Sequence, residues 1–321
     1  MGIARKGFSY FEKYCTFFNT IRSTAHQAGA DAIIGTAMNT TRESSIKYIE
    51  EISLNAWPSY RIELYDGWLI RQSHNYTHRT NSVEQVGSST IPLPEKISYC
   101  EEVYRRHGTP CIFKINPLID PSFEGLLAER QYSVCHVTQV MTADLDQVQL
   151  MSEAMRSYET GDKMGLPTFV CYQDPAYPLP GGGPTVLLSS SITDEWIRGL
   201  FHLNGTSDPL LRRIVPSMFK AIPKDTIAAS VEMNGSMVAS GLGILDREYI
   251  GIYAIYVSPG VRRMHLARAI VSTLLRQGRE LGAVRSYLQV VRGNEQARSL
   301  YSSLGYTDFY TYWFRSKPHR G

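Results

Sequence analysis

Long apolar runs are absent from this chain. No stretch approaches the roughly 18 consecutive apolar residues of a membrane-crossing helix, and the N-terminus lacks the apolar core of a secretory signal, so no membrane partner is expected. The cytoplasm is the expected compartment. Cysteine is sparse: Cys15, Cys100, Cys111, Cys135 and Cys171 are odd in number, scattered and never spaced Cys-x-x-Cys. That pattern argues against a disulfide framework or a zinc site and for reduced thiols. Net charge is small, +3 over 321 residues, and no dense basic run is interleaved with aromatics, so no nucleic-acid partner is expected. Glycine fingerprints fail too. Gly241-x-Gly243 has no third glycine and sits in a hairpin pattern rather than at a strand-to-helix turn, and no Gly-x-Ser-x-Gly occurs. His74 and His78 stand in a loop pattern without a third ligand, and no metal is expected.

What is present is apolar content, 43% of the chain, enough for proper cores over a length that suits two domains. The most informative stretch is 249–306. Residues 250–257 are rich in β-branched and aromatic side chains and end at Ser258-Pro259-Gly260, the pattern of a buried strand closed by a turn. Val261-Arg262-Arg263-Met264-His265-Leu266-Ala267 then leads into Ile270, Val271, Leu274, Leu275 and Leu281 at helical spacing, which predicts a helix starting near Arg263. The first turn of a helix has N–H groups without intrahelical partners and the positive end of the macrodipole. With Arg262, Arg263 and Arg268 beside it, this turn suits a pyrophosphate. Residues 287–291 read as another strand, Asn294 as the N-cap of a helix over 295–304, and Gly305 as its stop.

Taken together, Val257-x-Pro259-x-x-Arg262-x-x-His265-x-Ala267 and Asn294-x-x-Ala297-x-x-Leu300-Tyr301-x-x-Leu304-Gly305-Tyr306 resemble the GNAT N-acetyltransferase superfamily. The resemblance implies an α/β (α+β) fold with a mixed, mostly antiparallel central sheet flanked by helices. It implies acetyl-CoA as acyl donor, and as acceptor a primary amine on a small molecule, an amino acid or a peptide. It further implies that Ile255, Tyr256 and Val257 offer backbone groups to the thioester and the pantetheine arm. The pyrophosphate would rest on Arg262, Arg263, Met264, His265, Leu266, Ala267 and Arg268, with Asn294 touching the arm. Tyr301 would be the general acid for the departing thiolate, a role that suits a phenol with a pKa of about 10. Tyr253 falls on the acceptor side.

Two departures matter. His265 stands where the family has a glycine in its turn, so its ring must point away or place an N–H on a phosphate oxygen. The glutamate that some relatives carry early in the preceding strand falls near Gly251, leaving Glu248, Glu232 or the Tyr253 hydroxyl through water as alternatives for a general base. The departures keep a second reading open, a catalytically inactive acyl-CoA-binding or regulatory module. Either reading allows a homodimer.

Along the chain, residues 1–43 receive no role. From residue 44 the pattern predicts a helix over 46–54, strands over 61–71 and 79–83, a helix over 95–106, a strand over 111–115, a helix over 121–130 and a strand over 134–145. Leu126-Leu127-Ala128-Glu129-Arg130-Gln131-Tyr132 echoes Leu300-Tyr301-Ser302-Ser303-Leu304-Gly305-Tyr306. The expected layout is therefore a tandem: a degenerate GNAT-like copy over 44–146 without a pyrophosphate turn, a Pro/Gly-rich linker over 147–183, and the transferase domain over 184–316. In the latter, Thr193 caps a helix, a second helix follows Pro209, and Asn234-Gly235 closes a hairpin.

Overall fold

An exchange of strands ties the two halves of the sequence into one sheet. The computed structural model describes residues 42–158, 162–172 and 183–317. The first half runs α1 (Arg42–Ala56), β1 (Arg61–Tyr65), β2 (Trp68–Gln72), a 3-10 turn (His78–Thr80), β3 (Val83–Gln85), α2 (Leu93–Arg106), β4 (Cys111–Ile115), α3 (Pro121–Glu129) and β5 (Ser133–Asp144). After β6 (Glu153–Ser157), β7 (Phe169–Tyr172) and β8 (Thr185–Ser189) come α4 (Asp194–Asn204), α5 (Pro209–Lys220), β9 (Asp225–Met233), β10 (Ser236–Asp246) and β11 (Tyr249–Val257). The chain closes with α6 (Leu266–Glu280), β12 (Arg285–Val291), α7 (Glu295–Ser303) and β13 (Thr307–Lys317).

The described strands form a single sheet in the order β1-β2-β3-β4-β13-β5-β12-β11-β10-β9-β8-β7-β6. An internal repeat is visible in it. β3 pairs in parallel with β4, as β11 pairs in parallel with β12, and each pair is joined through a helix. The last strand of each repeat lies antiparallel against the other half: β5 on β12, β13 on β4, with β5 and β13 joined to each other. Neither half completes its sheet alone.

Several elements depart from the sequence pattern. The strand expected over 61–71 is a hairpin, because Asp66 (φ 43°) and Gly67 (φ 78°) both adopt the left-handed conformation and turn the chain back. A side chain at position 67 would also run into the Ser88 carbonyl at 2.3 Å. The strand expected over 79–83 is shifted to Val83–Gln85 behind the 3-10 turn. The expected linker carries β6 and β7, which extend the sheet beyond β8. The helix expected from Arg263 starts only at Leu266, since Arg263 (φ 67°) and His265 (φ 55°) are left-handed. Residues 1–41 lie outside the described residues.

Side-chain alternation sorts the core onto two faces of the sheet. Ile250, Ile252, Leu288 and Val290 pack with α6 and with Tyr301 and Leu304 on one face. Tyr249, Tyr253, Tyr287 and Tyr312 pack with α1, α4 and α5 on the other. A third cluster around Trp68, Phe113 and Phe123 fills the first half. Buried Glu50 links these parts, accepting from Lys114 Nζ at 2.8 Å and Asn116 Nδ2 at 2.9 Å.

Candidate active site

The parting of β11 from β12 makes the site. Their ladder ends at Ile252 and Leu288, although β11 continues to Val257 and β12 to Val291. A bulge sharpens the divergence: Ala254 takes φ 50°, the β10 register slips there, and Ser240 Oγ donates to the Ala254 carbonyl at 2.9 Å. A cleft of about 1510 Å³ opens at this point. It exceeds the roughly 300–1,000 Å³ of ordinary small-molecule sites, so it has room for an extended ligand and a second molecule.

Ile255, Tyr256, Val257, Arg262, Arg263, His265, Leu266, Ala267, Arg268, Asn294, Tyr301 and Tyr253 all line this one cleft. Met264 does not; it packs on the apolar core beside α6, because the turn between two left-handed residues rolls its side chain inward. His265 caps α6 by backbone geometry alone, without a side-chain capping bond. Its left-handed φ is the conformation in which glycine is at ease, so the histidine keeps the glycine's backbone path. Arg262 and Arg263 are exposed. Arg268 is partly engaged, donating to Ser303 Oγ at 2.7 Å and to the Gln149 carbonyl at 3.2 Å. Asn294 Oδ1 accepts from Ala297 N–H at 3.2 Å and so caps α7 while bordering the cleft.

Tyr301 is buried on α7, ring to ring with Tyr306 at 5.9 Å, and burial pushes its phenol up to about 12. Tyr253 lies at the other wall with its hydroxyl 2.5 Å from that of Tyr287, and burial raises it likewise to about 12. The glutamate of some relatives has no room here: a side chain at Gly251 would meet the Tyr253 ring at 2.6 Å and the Tyr287 ring at 2.8 Å. Neither Glu232 nor Glu248 lines the cleft; Glu232 is exposed on β9, and Glu248 bonds the Tyr48 hydroxyl. The carboxylates that do border it are Asp208, which caps α5 through Leu210 N–H at 2.7 Å, and Glu295 in the first turn of α7.

Some lining residues escaped the sequence pattern. Trp57, Tyr76, Thr77 and Arg79 come from the first half, and Trp57 stacks on Tyr253 with ring centroids 5.7 Å apart and 12° between planes. His78, next to Arg79, meets Cys135 and His136 rather than His74, their donor atoms all within 4.8 Å; among the described residues this is a group that could hold a metal ion, and it lies outside the cleft lining.

Residues 195–306 match the family described as Acetyltransferase (GNAT) family. This chain carries a GNAT acetyltransferase domain. Residues 43–166 match a second family, described as "Probable histone acetyltransferase Rv0428c C-terminal". The chain is 25% identical over 272 residues to the "Uncharacterized N-acetyltransferase YobR" of Bacillus subtilis (strain 168), covering 85% of this chain and 98% of that one. Among solved structures, a GCN5-related N-acetyltransferase from Kribbella flavida shares the fold with a TM-score of 0.56 at 14% identity, over 88% of this chain and 97% of the other. A tandem GNAT protein from the clavulanic acid biosynthesis pathway shares it with a TM-score of 0.51 at 12% identity, over 75% of each chain. The protein is thus an acyltransferase with a mixed, mostly antiparallel sheet flanked by helices. No described helix is long and apolar enough to cross a membrane.

Proposed function

We propose that the GNAT domain moves the acetyl group of acetyl-CoA to a primary amine of a small molecule, an amino acid or a peptide, in a cytoplasmic setting. In this reading the chain is a tandem whose first half is a degenerate copy that walls the acceptor side. The observation that carries it is the parted strand pair, with an anion-suited turn at one end and Tyr301 across from it. The residues fit the donor. Arg262 and Arg263 stand exposed before the α6 N-terminus, where free N–H groups and the helix dipole favour phosphate oxygens. Beyond Ile252, the edge of β11 that faces β12 has no ladder partner and suits an amide-bearing arm.

When bound, acetyl-CoA would supply an activated thioester acyl group. The chain's own groups do the rest. Backbone N–H around Ile255 and Tyr256 would polarise the carbonyl oxygen. Tyr301, protonated at neutral pH as any phenol is and held so more firmly by burial, would hand its proton to the sulfur. The Tyr253 and Tyr287 phenols, raised by burial, stay protonated at neutral pH and so cannot accept the amine's proton themselves. They would instead orient a water that takes the proton from the amine.

The first half holds no such turn. Its β3–α2 connection offers Thr90 N–H and Ile91 N–H to the Asp66 carboxylate, both at 2.9 Å, and Asp66 is paired with buried Lys96 at 3.1 Å. An internal anion already occupies those amides. An inactive acyl-CoA-binding module is the second reading, favoured by His265 in the turn and by the missing carboxylate at Gly251.

Calorimetry with acetyl-CoA and thiol release with an amine panel test both readings. The proposal expects binding and turnover; binding with no turnover on any amine favours the module, and absence of binding removes both.

A further inference from the structure

Arg79 is a cation built into the cleft without an anion. It sits on the 3-10 turn His78–Thr80, and that turn is held rigidly: buried Asn81 accepts from Ser73 N–H at 2.6 Å and Asn75 N–H at 3.0 Å and donates to the Thr77 carbonyl at 2.7 Å. The side chain lines the cleft and donates through Nε to the Tyr312 hydroxyl at 2.9 Å. Tyr312 passes the bond to Gln289 Oε1 at 2.8 Å, and Gln289 Nε2 donates to Ser53 Oγ at 2.9 Å, so the base of the guanidinium is fixed by three elements.

A guanidinium has five N–H donors, and this one spends one on Tyr312. Its two NH2 groups make no bond to any described residue, and no described carboxylate pairs with it. That sets it apart from the buried cations of this half. Buried Arg71 holds Glu84 at 2.7 Å, Lys96 holds Asp66 at 3.1 Å and Lys114 holds Glu50 at 2.8 Å. Arg79 is half-buried in the cleft wall, and its NH2 groups stay open to the cleft rather than sealed in the core. A guanidinium fixed at its base with both NH2 groups open is fitted to an anion that arrives from outside.

Its position decides which ligand that is. Arg79 lies near the Tyr253 and Tyr256 hydroxyls on the face of the sheet that carries Tyr253, Tyr312 and α1. The turn of Arg262 to Leu266 and Tyr301 belong to the face of α6 and α7. The parted strands connect the two faces, with the phosphate end on one side and Arg79 on the other.

We propose that the acceptor is an amine carrying a carboxylate, of the amino-acid class, with the carboxylate clamped by the two free NH2 groups of Arg79 while its amine reaches the thioester between β11 and β12. Tyr76, Tyr256 and Trp57 form the aromatic wall around its side chain. The inference rests on the acetyltransferase reading above and deepens it.

The test pairs each free amino acid with its amide and its decarboxylated amine, measuring thiol release from acetyl-CoA in the full-length protein, the Arg79→Gln variant and the Arg79→Lys variant. A doubly bonded charged contact corresponds to a preference of about 10- to 100-fold in kcat/KM for the acid. Arg79→Gln should abolish that preference mainly through KM, and Arg79→Lys should restore only part of it. Both variants should bind acetyl-CoA with unchanged Kd. N-acetylated amino acids should raise the Tm of the native protein and leave that of Arg79→Gln unmoved. Equal turnover of acid and amide overturns the inference while leaving acetyl transfer standing. So does a weakened acetyl-CoA Kd in Arg79→Gln, which would assign Arg79 to the donor. Acetyl-CoA binding with neither turnover nor a Tm shift from any acid also overturns it. Absence of acetyl-CoA binding instead sinks the underlying reading.

Discussion

Tyr310 donates its hydroxyl to Glu50 at 2.6 Å, joining β13 near the C-terminus to α1 near the start of the described chain. Two positions on, Tyr312 receives Arg79 Nε and lies under the Lys114 ammonium, 4.6 Å from its ring centre. β13 therefore does for the first half what a domain's own last strand would do, and through Tyr312 it holds Arg79 at the same time. Removing residues 307–321 should strip β4 and β5 of a shared neighbour and leave Glu50 short of one donor. We expect the truncated chain to lose the cooperative unfolding transition, read by circular dichroism against urea. The milder Tyr310→Phe should lower stability by about 1–3 kcal/mol, since Glu50 keeps Lys114 and Asn116. A truncated chain that still melts cooperatively would show that the exchange is dispensable.

Tyr301 should separate chemistry from binding. Its phenol is buried and lines the cleft. Tyr301→Phe removes only the hydroxyl, so the acetyl-CoA Kd should stay within a factor of about two. Turnover should fall about 10²- to 10⁴-fold, the usual share of a general acid. Because burial raises the phenol to about 12, the native protein should show no activity loss from this group until pH approaches that value. Equal kcat in the two proteins would remove Tyr301 from the mechanism.

The turn before α6 yields a contrast between neighbours. Arg262→Ala deletes an exposed cation beside the α6 N-terminus and should weaken acetyl-CoA binding about tenfold, with little change in Tm. His265→Gly keeps the left-handed path of φ 55° without the cost of a side chain there, about 1–2 kcal/mol. It should bind acetyl-CoA as well as or better than the native protein. Tighter binding by His265→Gly would mean that the ring crowds the phosphates, and weaker binding that its N–H helps hold them.

How much of this could be read from sequence depends on how local the cause is. Thr193 accepts from Trp196 N–H at 3.1 Å, Asn294 caps α7, and Asn234-Gly235 (φ 52° and 73°) closes the β9–β10 hairpin, each dictated within a few residues. Asp66-Gly67 carries the same turn signal, but its flanking apolar residues hid the reversal within one long strand pattern. The exchange of β5 and β13 had no local signature, since both strands have the same alternation wherever they pair. Arg79 was invisible for a related reason: its open NH2 groups become notable only beside the cations that have partners. The missing carboxylate was legible at Gly251, though the Tyr253 and Tyr287 rings that fill its space were not.

His78 should report on stability as acid is added. Burial, and then the neighbouring His136 with its ring centroid 4.2 Å away, lower His78 from its ordinary 6.5 to about 4. Above pH 6.5 the imidazole is neutral in both folded and unfolded chains and has no effect. Between about 6.5 and 4 the unfolded chain binds the proton that the folded one refuses, so folding stability falls as pH falls. Below about 4 the loss is complete. The native protein should therefore lose Tm across this window, and His78→Gln, which takes up no proton, should show a flatter profile while matching the native Tm near pH 7.5. Parallel profiles for the two proteins would mean that His78 titrates as an exposed histidine and that its contact with His136 does not persist in solution.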